Sequence, residues 1–139
     1  MADPLPICHL NGEWPALREA RISPLDRSFL FGDGVYEVVP VFEGRPFRFA
    51  EHFDRLSRSL AALHIRDPHS RDAWRALVHE LMQRNGGGDM YVYVQVSRGA
   101  EYGRNHAPFP DVAPTVFAFC APLPKPSAAQ LAQGLQCVT

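Results

Sequence analysis

Asp26-Arg27-Ser28-Phe29-Leu30-Phe31-Gly32-Asp33-Gly34-Val35-Tyr36-Glu37-Val38-Val39 is the stretch on which the fold turns. Gly32 and Gly34 bracket an acid, a composition suited to a sharp backbone reversal at positive φ. The residues before the second glycine therefore read as a loop feeding a strand. Val35, Tyr36, Val38 and Val39 are β-branched or aromatic and favour an extended run. Side chains alternate along a strand, so Tyr36 and Val38 leave one face while Val35, Glu37 and Val39 leave the other. A tyrosine hydroxyl and a carboxylate just past a tight turn suit a functional site. They suit equally a buried strand in which Tyr36 reaches a backbone carbonyl and Glu37 sits at an edge.

Working outward, Asn11-Gly12 lies between extended flanks and favours a two-residue type I′ turn, which opens the chain with a hairpin. After the central strand, Glu43-Gly44-Arg45 turns the chain back through Pro46 to Phe49 as a second hairpin. Pro40 has no N–H to give, so it must fall at a bulge or on an unpaired edge. Over 50–65, Phe53, Leu56, Leu60 and Leu63 recur at spacings of three and four and form one stripe of an amphipathic helix. A second helix over 71–84, capped by Ser70, buries Trp74, Leu77, Val78 and Leu81 and stops at Asn85-Gly86-Gly87-Gly88. Residues 90–97 alternate tyrosine with valine and read as a central strand with two apolar faces. A long polar loop over 98–112 precedes one more strand, 115–120. The expectation is an α+β fold: a mostly antiparallel sheet carrying two amphipathic helices.

Three prolines within 122–126 favour an extended segment. Residues 1–120 are expected to form a small N-terminal domain, 121–126 a stiff interdomain linker, and 127–139 the start of a second domain.

The chain has 139 residues, 46% of them hydrophobic and 21% charged, enough for one domain with its own core. A formal net charge of −1 gives no basic footprint for nucleic acid. Cys8, Cys120 and Cys137 are odd in number and widely separated, which points to a reduced, cytoplasmic protein rather than a disulfide framework. No apolar run approaches the ~18 residues of a membrane span, and no leader pattern precedes the first hairpin. The six histidines form no metal-ligand pattern, so no metal is expected, and Gly-x-Ser-x-Gly is absent. Lys125 is the only lysine; the other thirteen basic residues are arginines.

Two groups of residues could hold anions. Arg55 follows Glu51-His52 on the first helix, and its planar fork of donors matches a phosphate; the plain alternative is an ion pair with Asp54 or Glu51. Arg104-Asn105-His106 could converge on one carboxylate, the arginine giving charge and the histidine direction. The plain alternative there is a mobile polar loop.

The run 26–39, followed by Glu51-His52-Phe53-Asp54-Arg55-Leu56, resembles the N-terminal domain of class IV (fold type IV) pyridoxal-phosphate enzymes. Within that family it is most similar to a D-amino acid aminotransferase. Two motifs in register carry the resemblance, which spans nearly the whole chain. It implies pyridoxal 5′-phosphate as cofactor, a D-amino acid and a 2-oxo acid as substrates, and a homodimer. Carried over residue by residue, it implies that Arg55 contacts the cofactor phosphate and that Glu37 lies close to the cofactor. Tyr36, Arg104 and His106 would trap the substrate α-carboxylate, with Val38 beside the substrate and the Arg-x-His loop donated by the neighbouring subunit. The interval from Arg98-Gly99 to Arg104 is one residue longer than the family pattern. Branched-chain aminotransferase, R-selective amine transaminase and aminodeoxychorismate lyase are relatives that the Arg-x-His pair disfavours. A non-catalytic dimerisation or ligand-binding module is the reading from another class. A transaminase needs a Schiff-base lysine, and Lys125 between two prolines does not suit that role. The resemblance places that lysine in a following large domain, so the 139 residues alone are expected to be inactive.

Overall fold

The computed structural model describes residues 3–138. Five strands form one sheet in the order β1-β5-β4-β2-β3 with every neighbour antiparallel. They are β1 (Cys8–Leu10), β2 (Gly34–Phe42), β3 (Arg45–Pro46), β4 (Met90–Ser97) and β5 (Thr115–Pro122). Helices α2 (Phe49–Ala62) and α3 (Arg71–Arg84) cover one face. The α+β architecture is the one expected, and β4 sits at its centre.

The sheet is built by turn chemistry and alternation. Asn11 and Gly12 both carry positive φ and close the first hairpin, with Leu10 opposite Glu13. Pro40 lies opposite Tyr91, and its carbonyl accepts from Phe47 N at 2.7 Å. The C=O and N of one strand residue share a side, so the missing donor falls beyond the end of β3, on an unpaired stretch of edge. Val39 and Val41 of β2, and Met90, Val92, Val94 and Val96 of β4, pack against Phe53, Leu56, Leu60, Trp74 and Leu81. Each such side chain contributes about 1.5–3 kcal/mol by leaving water. The opposite face carries an aromatic row in which Tyr36 stacks on Tyr93 at 5.6 Å, Tyr93 meets Phe119 at 5.1 Å, and Phe119 meets Phe117 at 5.8 Å.

Several local expectations are corrected. Arg27–Phe31 is a short helix, α1, rather than loop: the Asp26 side chain accepts from Ser28 N at 2.9 Å, and Gly32 ends the turn at φ 67. Gly34 is a glycine for a different reason, because a Cβ there would stand 2.9 Å from Val96 O across the strand pair. Phe49 opens α2 instead of closing the second hairpin, and α2 stops at Ala62. His64 takes φ 54, which swings Leu63 toward solvent and delivers Ile65 to the core in its place. α3 begins and ends as expected, with Ser70 Oγ accepting from Ala73 N. β5 runs two residues further than expected, so Ala121 is buried within it. Beyond it, a helix α4 (Ala128–Gln133), capped by Ser127, buries none of its residues. Among the described residues no helix is long and apolar enough to cross a membrane.

Candidate active site

Alternation along β2 sends Glu37 beneath α2 while Tyr36 and Val38 face away from it. On α2, His52 and Arg55 are three residues apart and so share a side of the helix. Both close on Glu37. Arg55 donates from Nε to Glu37 Oε1 at 2.5 Å and from Nη2 to Oε2 at 2.6 Å, and His52 Nδ1 lies 2.8 Å from Oε2. A carboxylate only accepts, so His52 Nδ1 carries the hydrogen. Burial pushes the Glu37 carboxyl up, but the hydrogen bonds from Arg55 and His52 and the Arg55 charge outweigh it, leaving it below its ordinary value.

Glu37 is 3% exposed, whereas the Arg55 side chain is 60% exposed. The arginine is therefore fixed from below and open above, and its Nη1 has no protein partner among the described residues. The ion pairs foreseen as the plain alternative do not form. Asp54 pairs with Arg71, and Glu51 pairs with Arg48 at 3.0 Å. Arg55 also joins two shallow depressions. One, of about 310 Å³, is lined by Tyr36, Glu37, Val38, Arg55 and Ser59. The other, of about 250 Å³, adds Arg48, His52 and Arg58. Four of the six residues singled out from the sequence thus meet at one place. Cationic donors open to solvent suit a phosphate or carboxylate.

Arg104 and His106 lie elsewhere, in the 98–114 connection. The Arg104 guanidinium stands 4.5 Å from the Phe31 ring centroid, and the His106 ring lies 5.8 Å from the same ring. No hydrogen bond or ring contact joins either residue to Tyr36 among the described residues. The connection is tied to the rest of the fold by Arg27, a residue that the sequence reading passed over. Arg27 is buried, and it donates to Asp33 Oδ2 at 2.8 Å, Glu101 Oε2 at 3.2 Å, Asn105 O at 2.8 Å and His106 O at 3.1 Å. Arg98 shares Asp33, donating from Nε at 2.7 Å. Asp26 completes the knot by accepting from Ser97 Oγ and Thr115 Oγ1 at the mouths of β4 and β5. Burial pushes the Asp26 carboxyl up, but its hydrogen bonds from Ser28, Thr115 and Ser97 outweigh that and hold it below its ordinary value. The available signal was an arginine set among apolar residues between Asp26 and Asp33, since a buried guanidinium demands paired acids.

Known proteins bear on this geometry. A D-alanine aminotransferase from Staphylococcus epidermidis is 34% identical over 131 residues, covering 94% of this chain and 46% of that protein. One from Listeria monocytogenes is 42% identical over 105 residues, covering 76% and 36%. The chain thus spans less than half the length of the curated relatives it matches. The branched-chain amino acid aminotransferase of Escherichia coli shares the fold, with a TM-score of 0.79 at 19% identity over 86% of this chain and 41% of that one. The family model for amino-transferase class IV matches residues 34–139, which take in β2, the Glu37–Arg55 pair and the Arg104–His106 connection. On its sequence and its fold together, the chain belongs to the class IV aminotransferases.

Proposed function

We propose that this chain is the small domain of a pyridoxal-phosphate transaminase that moves an amino group from a D-amino acid to a 2-oxo acid. The observation that carries the reading is Arg55, oriented by a buried Glu37 and left open beside Tyr36 and Val38. Its support is family membership together with relatives named D-alanine aminotransferase. The donor set fits the phosphate end of the cofactor: an exposed guanidinium with a spare N–H, flanked by Arg48 and Arg58. When bound, pyridoxal phosphate supplies the aldehyde and the electron-withdrawing ring that carry the amino group between substrates.

In this reading Arg55 holds the phosphate, and Glu37 serves the cofactor through Arg55, because both of its oxygens are already occupied. Tyr36, Arg104 and His106 bind the substrate α-carboxylate, and Val38 bounds the space beside it. Arg104 and His106 do not approach Tyr36 within one chain, so a second copy completes the trap and the enzyme works as a homodimer. Lys125 is exposed beside α4 and serves no part of the site. The cofactor-bearing lysine then belongs to a large domain that residues 127–139 begin, with 121–126 as the junction. Three free thiols, two of them buried, fit a cytoplasmic setting.

The full-length enzyme tests the proposal. It is expected to transfer the amino group of D-alanine to 2-oxoglutarate while leaving L-leucine untouched. Turnover of L-leucine without D-alanine overturns the choice of substrate, and loss of both overturns the transaminase reading.

A further inference from the structure

We infer that Arg27 is the positioning residue that holds the Arg104–His106 loop in its working shape. The inference rests on the carboxylate role proposed above for those two side chains. A connection that spans 98–114 with no helix or strand would ordinarily be mobile. To bind a carboxylate through two side chains, it must present both in one geometry.

Arg27 provides that order from beneath. Its Nη1 and Nη2 reach the backbone carbonyls of Asn105 and His106, the residues immediately after Arg104. Its Nη1 also reaches Glu101, whose other oxygen accepts from Phe109 N at 2.7 Å, so one carboxylate ties the two limbs of the loop together. The base of the clamp is rigid, since Arg27 N donates to Gly99 O at 2.9 Å and Asp26 bridges to Ala100. The Arg27 guanidinium lies 4.5 Å from the centroid of the Phe31 ring, the same ring over which Arg104 sits.

Charge divides the work between the two arginines. Arg27 is neutralised by Asp33 and Glu101, whereas Arg104 has no acidic partner among the described residues. Arg27 is consequently a poor ligand for any substrate, being buried and saturated. Arg104 keeps its charge available. A planar fork meeting four acceptors has no equivalent in a lysine, whose single ammonium cannot span them.

The test is Arg27→Lys in the full-length enzyme, with Arg104→Ala as reference. Arg27→Lys is expected to raise KM for D-alanine and for the 2-oxo acid about tenfold and to lower kcat less than about threefold. Faster amide exchange should be confined to residues 101–109, and cofactor retention should not change. Arg104→Ala is expected to raise KM by at least as much. If Arg104→Ala raises KM and Arg27→Lys does not, or if Arg27→Lys lowers kcat alone, the inference is overturned while the carboxylate reading stands. If neither variant changes KM, the carboxylate reading fails and the inference falls with it. Should Arg27→Lys not fold, Glu101→Gln decides the matter, because it keeps the size and an acceptor oxygen but removes the charge. It should raise KM about threefold, and an unchanged KM overturns the inference.

Discussion

Glu37 and Arg55 set the terms at the scale of single residues. The carboxylate is buried and the guanidinium is not, so removing the arginine has two separable effects. Arg55→Ala should weaken cofactor retention by about 1.5–3 kcal/mol through loss of a charge-assisted contact. It also leaves Glu37 buried with only His52 as partner, which should lower stability by about 1–3 kcal/mol. Adding Glu37→Gln removes the stranded charge, so the double variant should regain much of the stability and none of the cofactor affinity. Dialysis titration and urea melts read the two effects independently. Recovered cofactor affinity in the double variant would show that Arg55 is not the phosphate ligand. This pairing was invisible along the chain, because residues 37 and 55 meet only when a helix lies across a strand. That Tyr36 and Val38 share the face of β2 turned away from Glu37 was legible, since strict alternation along the strand leaves no other arrangement.

Elements were legible in proportion to their length and to the chemistry of their ends. α3 has a serine cap at one end and asparagine and glycine at the other, so its bounds follow from local rules. The expected helix over 50–65 overran α2 by three residues, because a left-handed His64 ends the periodic stripe, and histidine gives no warning of that. α1 is a single turn, too short for any period to register, and its glycine was read as one of a like pair. Gly32 and Gly34 in fact answer different demands, and substitution separates them. Gly32→Asn should cost only a few tenths of a kcal/mol, because asparagine accepts left-handed backbone and a Cβ there meets nothing within 4 Å. Gly34→Ala should cost about 1–3 kcal/mol, because its Cβ would press on Val96 O and on Ser97 Cα at 3.2 Å, both of them backbone. Equal denaturation midpoints for Gly34→Ala and the parent would refute the close-approach account.

For the whole molecule, stability in mild acid depends on the junction of β1 with the helical layer. His9 accepts from Gly12 N through Nε2 at 3.0 Å, and its Nδ1 is buried with no hydrogen-bond partner among the described residues. Burial first, and repulsion from His69 second, push the His9 pKa down to about 4. The unfolded chain, with a histidine pKa of about 6.5, binds the proton first. Stability contributed by neutral His9 is therefore complete above about pH 6.5 and is lost as pH falls toward about 4, a change on the order of 3 kcal/mol. His69 is lowered in the same direction, also by burial. The carboxyls of Asp26, Asp33 and Glu37 are held below their ordinary values, so their contributions disappear only at lower pH. Urea midpoints measured from pH 7 to 4.5 should fall steeply in the parent and less in His9→Asn. Parallel curves for the two proteins would reject the assignment.

The strands at the two flanks of the sheet have a consequence for what can lie beside it. β1 has three residues and β3 has two, with a proline in β3 and another just beyond its end in β2. β3 meets β2 only at Val41 and Phe42, so the flank of β2 from Gly34 to Val39 has no strand beside it, and the N–H and C=O groups of Tyr36 and Val38 face outward there. Because Tyr36 and Val38 also line the depression beside Arg55, whatever covers this edge closes the site as well, and it must meet those backbone groups with donors and acceptors of its own.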